Sequence, residues 1–135
     1  MTTNTSRFTS TQAADGTVET NIDSTTGLQW AAKPLPERVT HQQAIDQCAA
    51  LDLAGYSDWR LPTRAELLTL VDLTRYDPAI DVEAFPEIKG GWFWSSDLTA
   101  WSSASAWCVG FSYGGVSYDR RSSLGFALAV RRAGQ

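Results

Sequence analysis

The pattern of apolar positions changes character along the chain. Residues 1–15 are rich in Thr and Ser and poor in apolar side chains, which reads as a flexible N-terminus ahead of a single domain over 16–135. Thr17 to Ile22 alternate weakly, as an edge strand would, and Asp23-Ser24-Thr25-Thr26-Gly27 is a turn. Leu28 and Trp30 share one face of a short strand. From His41 to Leu51 the period lengthens. Ala44, Cys48 and Leu51 fall on one helical stripe, Thr40 supplies the N-cap, and Gly55 lies just past the end. Pro62 forbids continuation of any upstream helix. Thr63 followed by Glu66 is a capping box, which predicts a second helix from Arg64 to Leu73 with Leu67, Leu70 and Val71 as its buried stripe.

Beyond this the spacing shortens to two. Tyr76 to Ile88 reads as a loop pinned by Ile80 and Phe85, and Gly90-Gly91 as a turn into a strand over Trp92 to Ser96. A serine-rich loop follows, Ser95 to Ser105. Trp107, Val109 and Phe111 then alternate with Cys108, Gly110 and Ser112. That is a half-buried antiparallel strand with its heavy side in the core and its light side outward. Tyr113-Gly114-Gly115 turns the chain, Val116 to Tyr118 returns, and Arg120 to Gly125 is a second loop. Phe126, Leu128 and Val130 alternate on a last strand ending at Arg131-Arg132. The order predicts an α+β chain with two helices packed on short antiparallel strands.

Composition narrows the chemistry. Six tryptophans in 135 residues suit both a compact core and a binding face. A net charge of -4 argues against a nucleic-acid partner, which needs a basic footprint. No apolar run approaches a membrane span. Met1 to Gln12 lacks the apolar core of a secretory signal, so the expectation is synthesis in the cytoplasm, with delivery to a virion or surface left to a partner. Cys48 and Cys108 read as reduced in that compartment, a Cys48–Cys108 bridge staying open. One histidine and no Cys-x-x-Cys argue against a metal site, and no cofactor is expected.

Several runs together resemble a known family. They are Thr26-Gly27-Leu28-Gln29-Trp30, Cys48 to Gly55, Tyr56-Ser57-Asp58-Trp59-Arg60-Leu61-Pro62-Thr63 and Pro78-Ala79-Ile80-Asp81. Phe85-Pro86, Trp94-Ser95-Ser96, Ala106-Trp107-x-Val109-x-Phe111 and Ala129-Val130-Arg131 continue the series. In this order, over roughly Thr20 to Arg131, they look like the C-terminal domain family of the Lcl collagen-like adhesin. The resemblance implies a C-type-lectin-like fold. The formylglycine-generating enzymes share the Arg60-Leu61-Pro62-Thr63-x-x-Glu66 stretch, so what matches is scaffold, and scaffold does not state function.

Most polar candidates read as structural. Trp59 is expected buried, Arg60 paired, and Glu66 in its capping box. His41, without a placed partner, reads as a surface residue, and nothing fixes the separation of Asp58 and Asp97. Cys108 has no neighbouring histidine to activate it. The stretch from Trp101 to Gly125 differs. Trp101, Ser103, Cys108, Gly110, Ser112, Tyr113, Gly115, Ser117, Tyr118, Asp119, Arg121, Ser122, Ser123 and Gly125 are the candidate ligand-binding residues. Tyr supplies rigid contact area, while Ser and Gly supply adaptable hydrogen bonding, as in a paratope. A plain solvated loop would use much of the same vocabulary.

From Cys108 to Gly125 there is no Lys, Glu, Gln, Met or Trp, the types that codons ending in C never encode. Retroelements that diversify lectin-like proteins randomise adenines largely within AAC codons, so the chain also resembles a variable protein of that kind. The leading expectation is a non-catalytic, receptor- or adhesin-like module for a protein or glycan, with oligomerisation open. The alternatives are an oxidase of the formylglycine-generating type and a structural domain of a phage or surface fibre.

Overall fold

The computed structural model describes residues 7–134. In chain order the elements are β1 (Phe8–Gln12), β2 (Val18–Asp23), β3 (Leu28–Ala31), α1 (His41–Ala49), α2 (Arg64–Leu68), β4 (Trp92–Thr99), β5 (Ser102–Gly110), β6 (Val116–Arg120) and β7 (Val130–Arg132). The strands form two antiparallel sheets, one ordered β1-β2-β3-β7 and the other β4-β5-β6.

The chain is therefore mostly β, and the expected α+β architecture of helices packed on short strands is corrected. The Thr63–Glu66 capping box forms, and the Thr40 N-cap proves to be a second box with Gln43, but the helices they open are only nine and five residues long. After Leu68 the bonds shorten to three-residue steps, Leu70 N–H to Leu67 C=O and Val71 N–H to Leu68 C=O. A tight turn buries Leu67 and Leu70 as well as a longer helix would, so apolar spacing could not separate the two.

The N-terminus is corrected from Phe8 onward, residues 1–6 lying outside the described residues. β1 pairs with β2 through polar partners that carry no apolar alternation. Ser10 bonds Asn21 at 2.7 Å and Thr11 bonds Thr20 at 2.6 Å. Phe8 anchors the strand edge-on to Phe85, ring centroids 5.4 Å apart. The expected serine-rich loop at 95–105 is also strand for most of its length, because β4 continues to Thr99 and β5 begins at Ser102.

An extended spine, 125–130, joins the sheets. Phe126 and Trp94 bond beside β4, Ala129 C=O accepts from Ala31, and Val130 exchanges both bonds with Arg60. Ala127, Leu128, Ala129 and Val130 are buried along it. Trp30, Phe85, Phe93, Phe111 and Val109 complete a core that runs under both sheets.

The first sheet buries a polar network with the apolar core. The guanidinium of Arg131 donates to Asp58 Oδ1 at 2.6 Å and to Gln29 Oε1 at 2.6 Å, and it lies 3.6 Å from the centroid of the Tyr56 ring. Gln29 in turn donates to Thr20 at 2.9 Å. Burying Arg131, Gln29 and Thr20 is tolerable because each finds a partner.

Candidate functional site

The site begins with Trp92-Phe93-Trp94 on β4. Alternation sends the middle ring one way and the outer two the other. Phe93 enters the core against Phe111 and Phe126, at centroid distances of 5.2 and 5.4 Å. Trp92 and Trp94 share the opposite face. Register sets Gly110 across from Trp92, Cys108 across from Trp94, and Ser117 beyond Cys108.

The two indoles have different fates. Trp94 is covered: its N–H donates to Val39 C=O at 2.9 Å, its ring meets His41 at 5.1 Å, and Gly125 sits against it. A Cβ at Gly125 would come within 2.9 Å of the indole nitrogen, so only glycine lets the chain pass there. Trp92 lies across Gly110, where a Cβ would meet the ring at 3.0 Å, and it stays 47% exposed. It forms the wall between two clefts. One, of about 210 Å³, is bounded by Gly110, Ser112, Tyr113 and Gly115. The other, of about 90 Å³, is bounded by Trp94, Ser117, Tyr118, Asp119 and Leu124.

A clamp holds the 121–125 loop over Trp94. Arg121 donates from Nε to His41 Nδ1 at 2.9 Å and from Nη2 to Gln42 at 2.8 Å. His41 Nε2 contacts the Ser95 carbonyl at 2.8 Å, which makes Nε2 the protonated nitrogen and Nδ1 the acceptor. Burial and, less strongly, the Arg121 charge push the His41 pKa down, while the Ser95 bond opposes them. His41 is thus a buried clamp residue, correcting its expected place on the surface.

Residues 19–131 match the model of the Lcl C-terminal domain family. The chain belongs to the Lcl C-terminal domain family. Membership suggests a surface or adhesin-like module. No curated protein matches the chain at significant similarity. Among the described residues of this family member, no helix is long and apolar enough to cross a membrane, and no three His, Cys, Asp or Glu side chains gather as metal ligands.

The structure divides the expected ligand-binding residues. Ser112, Tyr113, Gly115, Ser117 and Asp119 line the two clefts, and Tyr118 borders the smaller one. Ser122 and Ser123 lie on the adjoining loop, with Ser123 donating to Asp119 Oδ1 at 3.0 Å. Trp101 and Tyr118 instead join Trp107 in a cluster of perpendicular rings with centroids 5.0 to 5.8 Å apart, and Arg64 caps Trp107 at 4.5 Å. Trp107 was expected in the core; it is half-buried in this cluster because its register partner is Tyr118 on an edge strand. Ser103 is exposed beside the cluster on β5.

Cys108, Gly110 and Gly125 line the clefts from below, as floor and not rim. All three are buried, the glycines under indole rings and Cys108 on the cleft floor at 5% exposure. Arg121 is committed to His41 and Gln42. Both cysteines are free thiols. Burial pushes Cys48 up to about 12, and burial with the Asp119 charge pushes Cys108 up to about 11, so neither supplies thiolate near neutrality.

Sequence reasoning missed Trp92, Trp94 and Leu124. A signal was present for the first two. Three consecutive aromatics on a strand cannot share one face, so a core that takes Phe93 leaves both tryptophans on the other side.

Proposed function

We propose that the chain is a non-catalytic, adhesin-like binding module whose ligand, a protein or a glycan, docks on the Trp92 face. Trp92 carries this reading: a large indole, half exposed, walls two clefts on a rigid sheet. Exposed Trp and Tyr on a fixed frame are the residues on which interface energy concentrates. Tyr113, 75% exposed, stands on the rim of the larger cleft. Strands and the Arg121 clamp hold these groups in place, which lowers the ordering cost of binding. The two protonated thiols, and a His41 whose ring nitrogens are both engaged, offer poor nucleophiles, which favours binding over an oxidase reaction.

The same surface suits a diversified receptor. Tyr113, Ser117, Tyr118, Asp119, Ser122 and Ser123 all reach solvent, so exchanging them leaves the core untouched. The gene's neighbourhood tests this part: a near-identical repeat with adenines at these codons, beside a reverse transcriptase, supports it, and its absence removes it.

For binding itself, the purified domain is screened on arrays of immobilised peptides and glycans. Each ligand retained by the wild type is tested again with Trp92→Ala and Tyr113→Ala. Lost retention at an unchanged thermal midpoint is the expected result. Full retention by both variants ends the reading.

A further inference from the structure

The two clefts beside Trp92 differ in charge. The larger one has no charged lining residue, and the smaller one has a single one, Asp119. The carboxylate of Asp119 is fixed through one oxygen. Oδ1 accepts from the Arg120 N–H at 2.7 Å and from the Ser123 hydroxyl at 3.0 Å, and Oδ2 has no hydrogen-bond partner among the described residues. Two indoles border the same space, and Leu124 adds an apolar rim.

We propose that this smaller cleft takes a cationic side chain, arginine in first place, presented by a protein partner. The inference rests on the Trp92-face reading and gives its ligand a chemistry. A guanidinium is planar and weakly hydrated, stacks on indole, and forks onto a carboxylate. Its methylene stem would lie along Leu124. Among the described residues, neither neighbouring arginine competes for the position. Arg121 is turned to His41 and Gln42, and alternation places Arg120 on the face of β6 opposite Asp119. The cleft, of about 90 Å³, is the narrower of the two beside Trp92. A net charge of -4 adds general attraction for a basic partner.

The test uses N-acetyl-arginine amide, its lysine counterpart, and the uncharged isostere N-acetyl-citrulline amide. Each is titrated into the full chain while the indole N–H resonances of Trp92 and Trp94 are followed by NMR. The arginine probe is expected to shift both resonances saturably, with lysine weaker and citrulline weaker by about tenfold or more. Asp119→Asn keeps an oxygen for the Arg120 and Ser123 bonds and removes the charge, so it should weaken the arginine probe by about tenfold at an unchanged thermal midpoint. Equal binding of arginine and citrulline, no saturable shift, or full affinity in Asp119→Asn each overturns the proposal. If the arginine probe fails while array ligands still depend on Trp92, the cation inference falls alone. If no array ligand depends on Trp92, both readings fall.

Discussion

The two sheets put their polar and aromatic residues to opposite uses. In the β1-β2-β3-β7 sheet, Thr20, Asn21, Asp23, Gln29 and Arg131 are buried, and each is bonded to another part of the chain. In the β4-β5-β6 sheet and its turns, Trp92, Trp101, Tyr113 and Tyr118 remain largely exposed. Polar groups in the first sheet lock register, because a slip would orphan several buried partners at once. Exposed rings in the second contribute little to the fold, and their apolar area is still available to a partner. A single small chain thus separates the part that fixes shape from the part whose aromatic area stays open to solvent.

The sharpest way to break this comparison lies within one strand. Phe93 and Trp92 are adjacent, yet one is buried and the other half exposed. Phe93→Ala should cost about 3–5 kcal/mol by denaturant unfolding. Trp92→Ala should cost no more than about 1 kcal/mol while abolishing retention of array ligands. Similar stability losses for the two would erase the distinction between the faces of β4.

The polar network gives the next largest effect. Arg131→Met preserves much of the volume but leaves the Gln29 carbonyl oxygen and Asp58 without their guanidinium. The expected loss is about 1–3 kcal/mol, with binding at the Trp92 face unaffected at temperatures where the variant is folded. Loss of binding in the fully folded variant would couple the two regions, against the comparison.

Acid probes the same sheet. Burial pushes Asp23 up, but hydrogen bonds from Arg7 and Thr25 outweigh it and hold the group at about 2. A depressed carboxylate stabilises the fold above its unfolded value of about 3.9, and that contribution disappears as pH falls through about 2. Arg7→Gln should flatten this part of the stability curve. An unchanged acid limb would show that the Arg7 pair contributes nothing measurable.

Much of this was legible in the residues, and the gaps have physical causes. The Thr40 N-cap, the Thr63–Glu66 capping box, the buried Trp59 and a paired Arg60 follow from local chemistry that needs no distant partner. β1 was hidden because its cross-strand bonds are between hydroxyl and amide side chains, which leave no apolar period. Trp107 was misplaced because alternation tells which side a residue faces and not what covers that side. The faces of Cys108 and Gly110 were assigned correctly in parity, but tryptophans from a strand more than ten residues away lie over them. His41 was missed for the same reason, since both partners of its ring are more than fifty positions distant.

The smallest expected effect concerns that histidine and ties the loop to the site. Neutral His41 accepts from Arg121 at Nδ1; a protonated ring has no lone pair there and would face the guanidinium as a like charge. Its folded pKa lies below the usual value of about 6.5, so the unfolded chain binds a proton first as pH falls. The stabilisation is therefore complete above about pH 6.5 and is lost progressively on acidification toward the lowered folded value. Between about pH 8 and about pH 5 the wild-type thermal midpoint should fall modestly, and the 121–125 amides should exchange hydrogen faster at the acid end. His41→Gln removes the titration, so its profile should be flat over the same interval, from a lower starting stability. A wild-type profile as flat as the variant's would mean that the loop is held without the Arg121–His41 bond, and the clamp would lose its part in shaping the cleft.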